Sequence, residues 1–471
     1  MAKKRMKKKK YFRFIKTVFF LVALALVVGA IGARTSFFNK ANFEEIGRGA
    51  NLQVNFGSSH PFFRNWRYLA QGGESPKDSL IKVAEEVRKL DIAYVRIDHI
   101  YDFYETVKKG PNGLEFDWTR LDRELTAITE MGAKPFISLS YMPPAISGGT
   151  EVDLPVNWAD WQVVVQKTIE HVSGKGNLGM RDVYYEVWNE PDLFGKFTIG
   201  GDKNYLDLYK YASLGAQAAS DTHSFKFGGP AMTNLMRKWF DGLLSFVANN
   251  NLRLDFVSWH RYSKNIEDFE SDVQNAESWI VLHPRLAKAE LIISEAGINS
   301  ELDSAYDNDV AAAHTLSVAT SLTKHRVKIF NFEIKDGLGP SMYWGRWGIL
   351  TNENFGSPTP KPRYHAFLFL SEMSGEIAQV SGWGSSVKAF GVSDDKRKTY
   401  KVLLVNYDKF NLHRENVPVS VQGLPSGNLT LKKINFMGNE IVETVNTPDG
   451  NWSGIVTLSP NSAAILEFTA N

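Results

Sequence analysis

Cysteine is absent from all 471 residues, which excludes disulfides and thiolate metal sites and leaves stability to the packed core. The ten histidines show no H-E-x-x-H spacing and no clustered ligand pattern, so neither a catalytic metal nor a cofactor is expected. A dinucleotide loop is also lacking. Gly174-Lys175-Gly176-Asn177-Leu178-Gly179 fits G-x-G-x-x-G, but it follows a predicted helix and precedes a strand, the reverse of the required order, and reads as a turn. Basic charge is scarce beyond the first sixteen residues: the remainder holds 45 Lys and Arg against 52 Asp and Glu, a net of −7. That balance argues against nucleic acid as a partner.

What is present begins at the amino terminus. Residues 1–16 carry nine Lys and Arg and no acid, and Thr17 to Ala33 form an uncharged apolar run, followed by a tether over 34–45. This reads as an N-terminal membrane segment. At ~1.5 Å rise per residue the run is about the shortest that spans a bilayer, so a signal anchor and a cleaved signal peptide both stay open, the anchor being preferred. The basic stretch holds the amino terminus in the cytoplasm. The expectation is a single-pass, membrane-anchored protein with its bulk extracytoplasmic, periplasmic or at the cell surface, and secreted if the segment is cleaved. A disordered nucleic-acid-binding arm does not explain the adjoining apolar run.

The rest is long enough for one domain of barrel size and a smaller one. Apolar runs alternate with amphipathic segments. Gly49 to Asn55 reads as the first strand, then Ala93 to Ile97, Pro135 to Leu139, Tyr184 to Val187, Lys226 to Gly229, Phe256 to His260, Leu291 to Glu295 and Val327 to Glu333. Helical spacing lies between, as in Leu121 to Met131, Tyr205 to Ser220 and Val310 to Lys324. Eight such units predict an α/β fold, a (β/α)8 TIM barrel over 46–375. From Glu376 short strands and turns replace the helical period, predicting a C-terminal β-sandwich over 376–471.

Within this frame Tyr184-Tyr185-Glu186-Val187-Trp188-Asn189-Glu190-Pro191 delivers an Asn-Glu pair to the end of the fourth strand, with Pro191 stopping the ladder and biasing Glu190 toward extended backbone. Glu295 ends the seventh strand in Ile293-Ser294-Glu295-Ala296-Gly297. A lone strand-end glutamate is usually an ordinary polar residue. Two that converge at one barrel mouth can act as an acid and a nucleophile on one glycosidic bond.

Trp188-Asn189-Glu190-Pro191-Asp192 and Ser294-Glu295-Ala296-Gly297, with Asp255-Phe256-Val257-Ser258-Trp259-His260-Arg261-Tyr262, carry a resemblance to the glycoside hydrolases of clan A. The chain is most similar to family 39, a group with β-xylosidases, α-L-iduronidases and endo-acting exopolysaccharide hydrolases, over about Asn51 to Met373. The resemblance implies a retaining glycosidase acting on a polysaccharide or oligosaccharide. It implies Glu190 as acid/base, Glu295 as nucleophile and Asn189 as partner of a sugar 2-hydroxyl. His260 and Tyr262 resemble residues beside the nucleophile, and Arg96 the arginine beneath it. A cation there favours an ionised Glu295, while the acid needs to hold its proton near neutrality. Aromatic rings suit sugar faces, so Tyr141, Trp344 and Trp347 are candidate subsite walls, with packing as the alternative. Glu333, at the end of strand eight, is a candidate hydroxyl binder. The rival reading is a non-hydrolytic carbohydrate-binding or polysaccharide-assembly component on a barrel scaffold. Sugar, linkage, endo or exo action and oligomeric state stay open.

Overall fold

The computed structural model describes residues 52–72, 80–382, 384–394 and 396–470. The basic tail, the apolar segment and the tether expected over 1–45 lie outside the described residues. Among the described residues no helix is long and apolar enough to cross a membrane.

Eight parallel strands close into a barrel in chain order: Tyr68–Gln71, Tyr94–Ile97, Lys134–Leu139, Val183–Val187, Phe225–Met232, Phe256–Tyr262, Glu290–Gly297 and Val327–Phe332. The eighth pairs with the first through Phe330 and Tyr68. Strand alternation sorts each segment into two faces. Tyr68, Phe136, Tyr184, Phe256, Ile292 and Phe330 point inward and form one buried cluster. Phe136 stacks on Tyr184 at 5.3 Å and tilts against Phe330 at 4.7 Å, so rings plug the barrel and make a floor for whatever lies above. Burying each such side chain contributes roughly 1.5–3 kcal/mol.

The intervening residues, such as Tyr185, Val187, Val257, Trp259 and Ile293, face outward into the helical layer. Three of those helices start where an asparagine side chain accepts a backbone N–H of the first turn: Asn157 before Trp158–Ser173, Asn204 before Tyr205–Ala218 and Asn308 before Asp309–Ser321. The first of these is the helix expected just before Gly174. Its apolar positions, Trp161, Val164, Val165 and Ile169, keep helical spacing and are buried.

The predicted first strand is a correction. Leu52–Pro61 is no part of the barrel; it pairs antiparallel with Glu376–Ser381 and parallel with Glu415–Gln422. Its alternation explains why: Leu52, Val54 and Phe56 are buried while Gln53 is exposed, the pattern of a sheet with one wet face. The barrel starts instead at Tyr68. The expected two-sheet sandwich is one continuous nine-stranded sheet, with Glu440–Thr447 and Trp452–Leu458 at its edges. It folds over so that Val54, Val419, Leu431, Val456, Leu466 and Phe468 share one core. Its other face presents Phe390, Leu403, Val405 and Ile465, which merge with the outer barrel core.

Candidate active site

Above the aromatic floor sits Arg96, two residues along the second strand from Tyr94 and fully buried. Its guanidinium donates from Nε to Glu186 Oε2 at 2.8 Å, from Nη1 to Glu295 Oε1 at 2.8 Å and from Nη2 to Asn189 Oδ1 at 2.7 Å. One planar fork thereby fixes the ends of the fourth and seventh strands relative to each other.

Glu190 is aimed by a strained turn. Trp188 has φ +74° and Glu190 φ +47°, which corrects the extended conformation expected before Pro191. The turn is held from several sides. Trp188 donates from Nε1 to the Phe194 carbonyl at 3.0 Å, and its own carbonyl accepts from Ser138 Oγ at 2.8 Å. The Glu190 carbonyl accepts the N–H groups of Leu193 and Phe194 at 3.0 and 2.7 Å.

Glu295 is aimed by a bulge. Ile292 points inward, so strict alternation would send Glu295 outward. The pairing with the sixth strand shifts between Ile293 and Glu295, placing Glu295 opposite His260, which shares the inward face of Phe256. Tyr262 donates to Glu295 Oε2 at 2.8 Å. Gly297 permits that approach, because a Cβ there would lie 2.9 Å from the Tyr262 ring and 2.5 Å from the Tyr306 hydroxyl.

His260 links the two carboxyls, with Nδ1 2.8 Å from Glu190 Oε1 and 3.5 Å from Glu295 Oε2. Among the described residues Glu190, His260 and Glu295 form a cluster in which one nitrogen or oxygen of each lies within 4.8 Å of the others. Three such groups could in principle hold an ion. Here both Glu295 oxygens already accept from Arg96 and Tyr262, and His260 Nδ1 is engaged with Glu190. One oxygen of each carboxyl thus lies within 4.8 Å of an oxygen of the other, near enough for both to reach one bound sugar. Burial raises the Glu295 carboxyl above its usual range, with His260 and Arg96 pulling against it. Burial lowers the His260 imidazole, but Glu295 and Glu190 outweigh it and the net shift is upward.

A cleft of about 750 Å³ opens over these groups, lined among others by Asp98, Tyr141, Asn189, Glu190, Tyr262, Glu295 and Trp347. Asn189 donates to the Tyr141 hydroxyl at 2.9 Å, and the Tyr141 ring meets Trp188 edge-on at 5.2 Å. Trp347 packs edge-on against Phe332 at 5.1 Å, with the Arg346 guanidinium 3.4 Å over its ring.

Two candidates fall outside the cleft lining. Trp344 does not line the cleft; it packs against Gly339, where a Cβ would sit 2.2 Å from its ring. Glu333 is fully buried, its Oε2 accepts from Gln71 at 2.8 Å, and its Oε1 has no hydrogen-bond partner among the described residues. Arg96 and His260 are likewise sealed beneath the cleft and act through the glutamates. Sequence reasoning passed over Glu186 and Asp98. Glu186 lies two residues along its strand from the inward-facing Tyr184, and Asp98 two residues beyond Arg96, just past the strand end, and that period alone could have flagged them.

Residues 58–290 match the family described as "Glycosyl hydrolases family 39", a span that includes Glu190 and His260 and stops five residues before Glu295. The chain is 25% identical over 375 residues to a beta-xylosidase of Caldicellulosiruptor saccharolyticus, covering 72% of each chain. It is 26% identical over 223 residues to the alpha-L-iduronidase of Homo sapiens, covering 44% of this chain and only 33% of that one. Among solved structures, the GH39 enzyme from Xanthomonas axonopodis pv. citri superposes with a TM-score of 0.74 at 19% identity, over 90% of this chain and 98% of that one. At that identity the likeness shows the fold.

Proposed function

Because residues 58–290 match the family 39 glycosyl hydrolases, the chain is a glycosidase, and we propose that it cleaves a polysaccharide or oligosaccharide by a retaining double displacement. The observation that carries this reading is the pair Glu190 and Glu295, converging on His260 with one polar atom of each within 4.8 Å of the others.

In the first step Glu295 attacks the anomeric carbon while Glu190 protonates the departing oxygen. In the second, Glu190 takes a proton from water, which attacks the same carbon and releases Glu295. Arg96 and Tyr262 hold the two Glu295 oxygens in line. Asn189 is fixed through Oδ1 by Arg96 and directs its amide toward Tyr141 and the cleft, where a sugar 2-hydroxyl can meet it.

We further propose that this unit works outside the cytoplasmic membrane on an exported or surface glycan. The support is the nine basic residues followed by the uncharged run Thr17 to Ala33. The test of the mechanism is hydrolysis of a glycan panel by wild type, Glu190→Gln and Glu295→Gln. Each variant is expected to lose roughly 10²-fold or more in kcat. Azide should restore turnover to Glu190→Ala with retained configuration and to Glu295→Ala with inversion. Full activity in both glutamine variants would rule the assignment out.

A further inference from the structure

Asp98 is buried, with 5% of its side chain exposed, yet it lines the cleft, and its Oδ1 has no hydrogen-bond partner among the described residues. Its Oδ2 reaches Arg96 Nη1 only at 3.9 Å, beyond hydrogen-bond distance. A buried carboxyl oxygen without a donor is costly, so the position is completed only when something arrives to pair with it.

The geometry says which half of the cleft this is. The same Arg96 Nη1 that faces Asp98 lies 2.8 Å from Glu295 Oε1, placing Asp98 on the nucleophile's side. Glu190, which protonates the leaving group in the proposed reaction, instead shares its loop with Leu193 and Phe194, which also line the cleft.

Charge around the cleft is one-sided. Asp98, Glu151, Glu190, Glu295 and Glu301 line it against one arginine, Arg346, which lies over Trp347, and against His99, whose imidazole burial lowers but Asp98 and Asp102 raise on balance. The Arg96 guanidinium is held by Glu186, Glu295 and Asn189.

We propose that Asp98 is a specificity-determining residue: it takes a hydrogen bond from a hydroxyl of the glycone and excludes glycones that carry a carboxylate. This rests on the glycosidase reading of the cleft. A hydroxyl supplies the donor that Oδ1 lacks, while a uronate would bring a like charge against a buried carboxyl and leave both unpaired. Burial raises the Asp98 carboxyl, with His99 and Arg96 opposing, which agrees with a group still lacking its partner.

The test uses xylo-, gluco- and glucurono-configured cyclophellitol epoxides, which alkylate a retaining nucleophile, on the full chain with intact-mass readout. In wild type, one or both neutral probes should label Glu295 at least about 100-fold faster than the glucurono probe. Asp98→Asn should narrow that ratio at least about tenfold, slowing the neutral probe and speeding the acidic one, a change that a purely structural role would not produce. Equal wild-type rates with neutral and acidic probes, or an unchanged ratio in Asp98→Asn, would overturn the inference alone. If Asp98→Asn does not fold, the wild-type ratio still decides. No labelling of Glu295 by any probe would overturn the catalytic reading and this inference together.

Discussion

Arg96 Nη1 lies 2.8 Å from Glu295 Oε1 beneath the cleft, with the two side chains 0% and 8% exposed. A pair so enclosed gains strength from the low local dielectric and loses it all when one member is removed. Arg96→Met leaves Glu186 and Glu295 as uncompensated buried carboxyls, at a cost of ~3–5 kcal/mol. Arg96→Lys keeps the charge but cannot reach three acceptors from one planar fork. Both variants are expected to melt below wild type, and Arg96→Lys to lose kcat even where it remains folded. Thermal denaturation together with steady-state kinetics checks this. A wild-type melting curve for Arg96→Met would mean that the carboxyls are neutralised some other way.

His260 gives the site a pH signature. Burial disfavours its imidazolium, but Glu295 and Glu190 outweigh burial and raise its folded pKa above the ordinary ~6.5. A raised folded value means that protonation favours the folded state. The stabilisation from this group is therefore complete below about 6.5 and fades as pH rises through the higher folded value. Wild-type Tm should fall more steeply than that of His260→Gln as pH is taken upward from about 6. Parallel Tm profiles would show that His260 carries no linked proton.

Glu190 and Glu295 were legible because each motif ends a predicted strand and strand order can be counted. Arg96 was legible from the same count. How Glu295 comes to face inward was not. Period two from Ile292 sends it outward, and the shift after Ile293 is set by pairing with a strand about thirty-five residues away, which local pattern cannot show. The Trp188 and Glu190 backbones escaped because a tertiary hydrogen bond from Ser138 and a loop bond to Phe194 hold conformations that local preference disfavours. The misplacement of Leu52–Pro61 was avoidable, since its alternation already spoke for a one-sided sheet.

The two tryptophans of Tyr343-Trp344-Gly345-Arg346-Trp347-Gly348 look equivalent in sequence, and the structure separates them. Trp347 lines the cleft with Phe332 at its edge, whereas Trp344 is turned onto Gly339. Stacking a sugar face on an indole contributes about 1–1.5 kcal/mol, close to tenfold in affinity. Trp347→Ala should therefore raise KM roughly tenfold while moving kcat much less, because a ring that holds ground state and transition state alike gives uniform binding. Trp344→Phe keeps an aromatic ring over Gly339 and should leave kcat/KM within about twofold of wild type, in the range of a change away from the site. Steady-state kinetics on one oligosaccharide decides between them. A larger KM effect from Trp344→Phe than from Trp347→Ala would place the sugar on the other side of the loop.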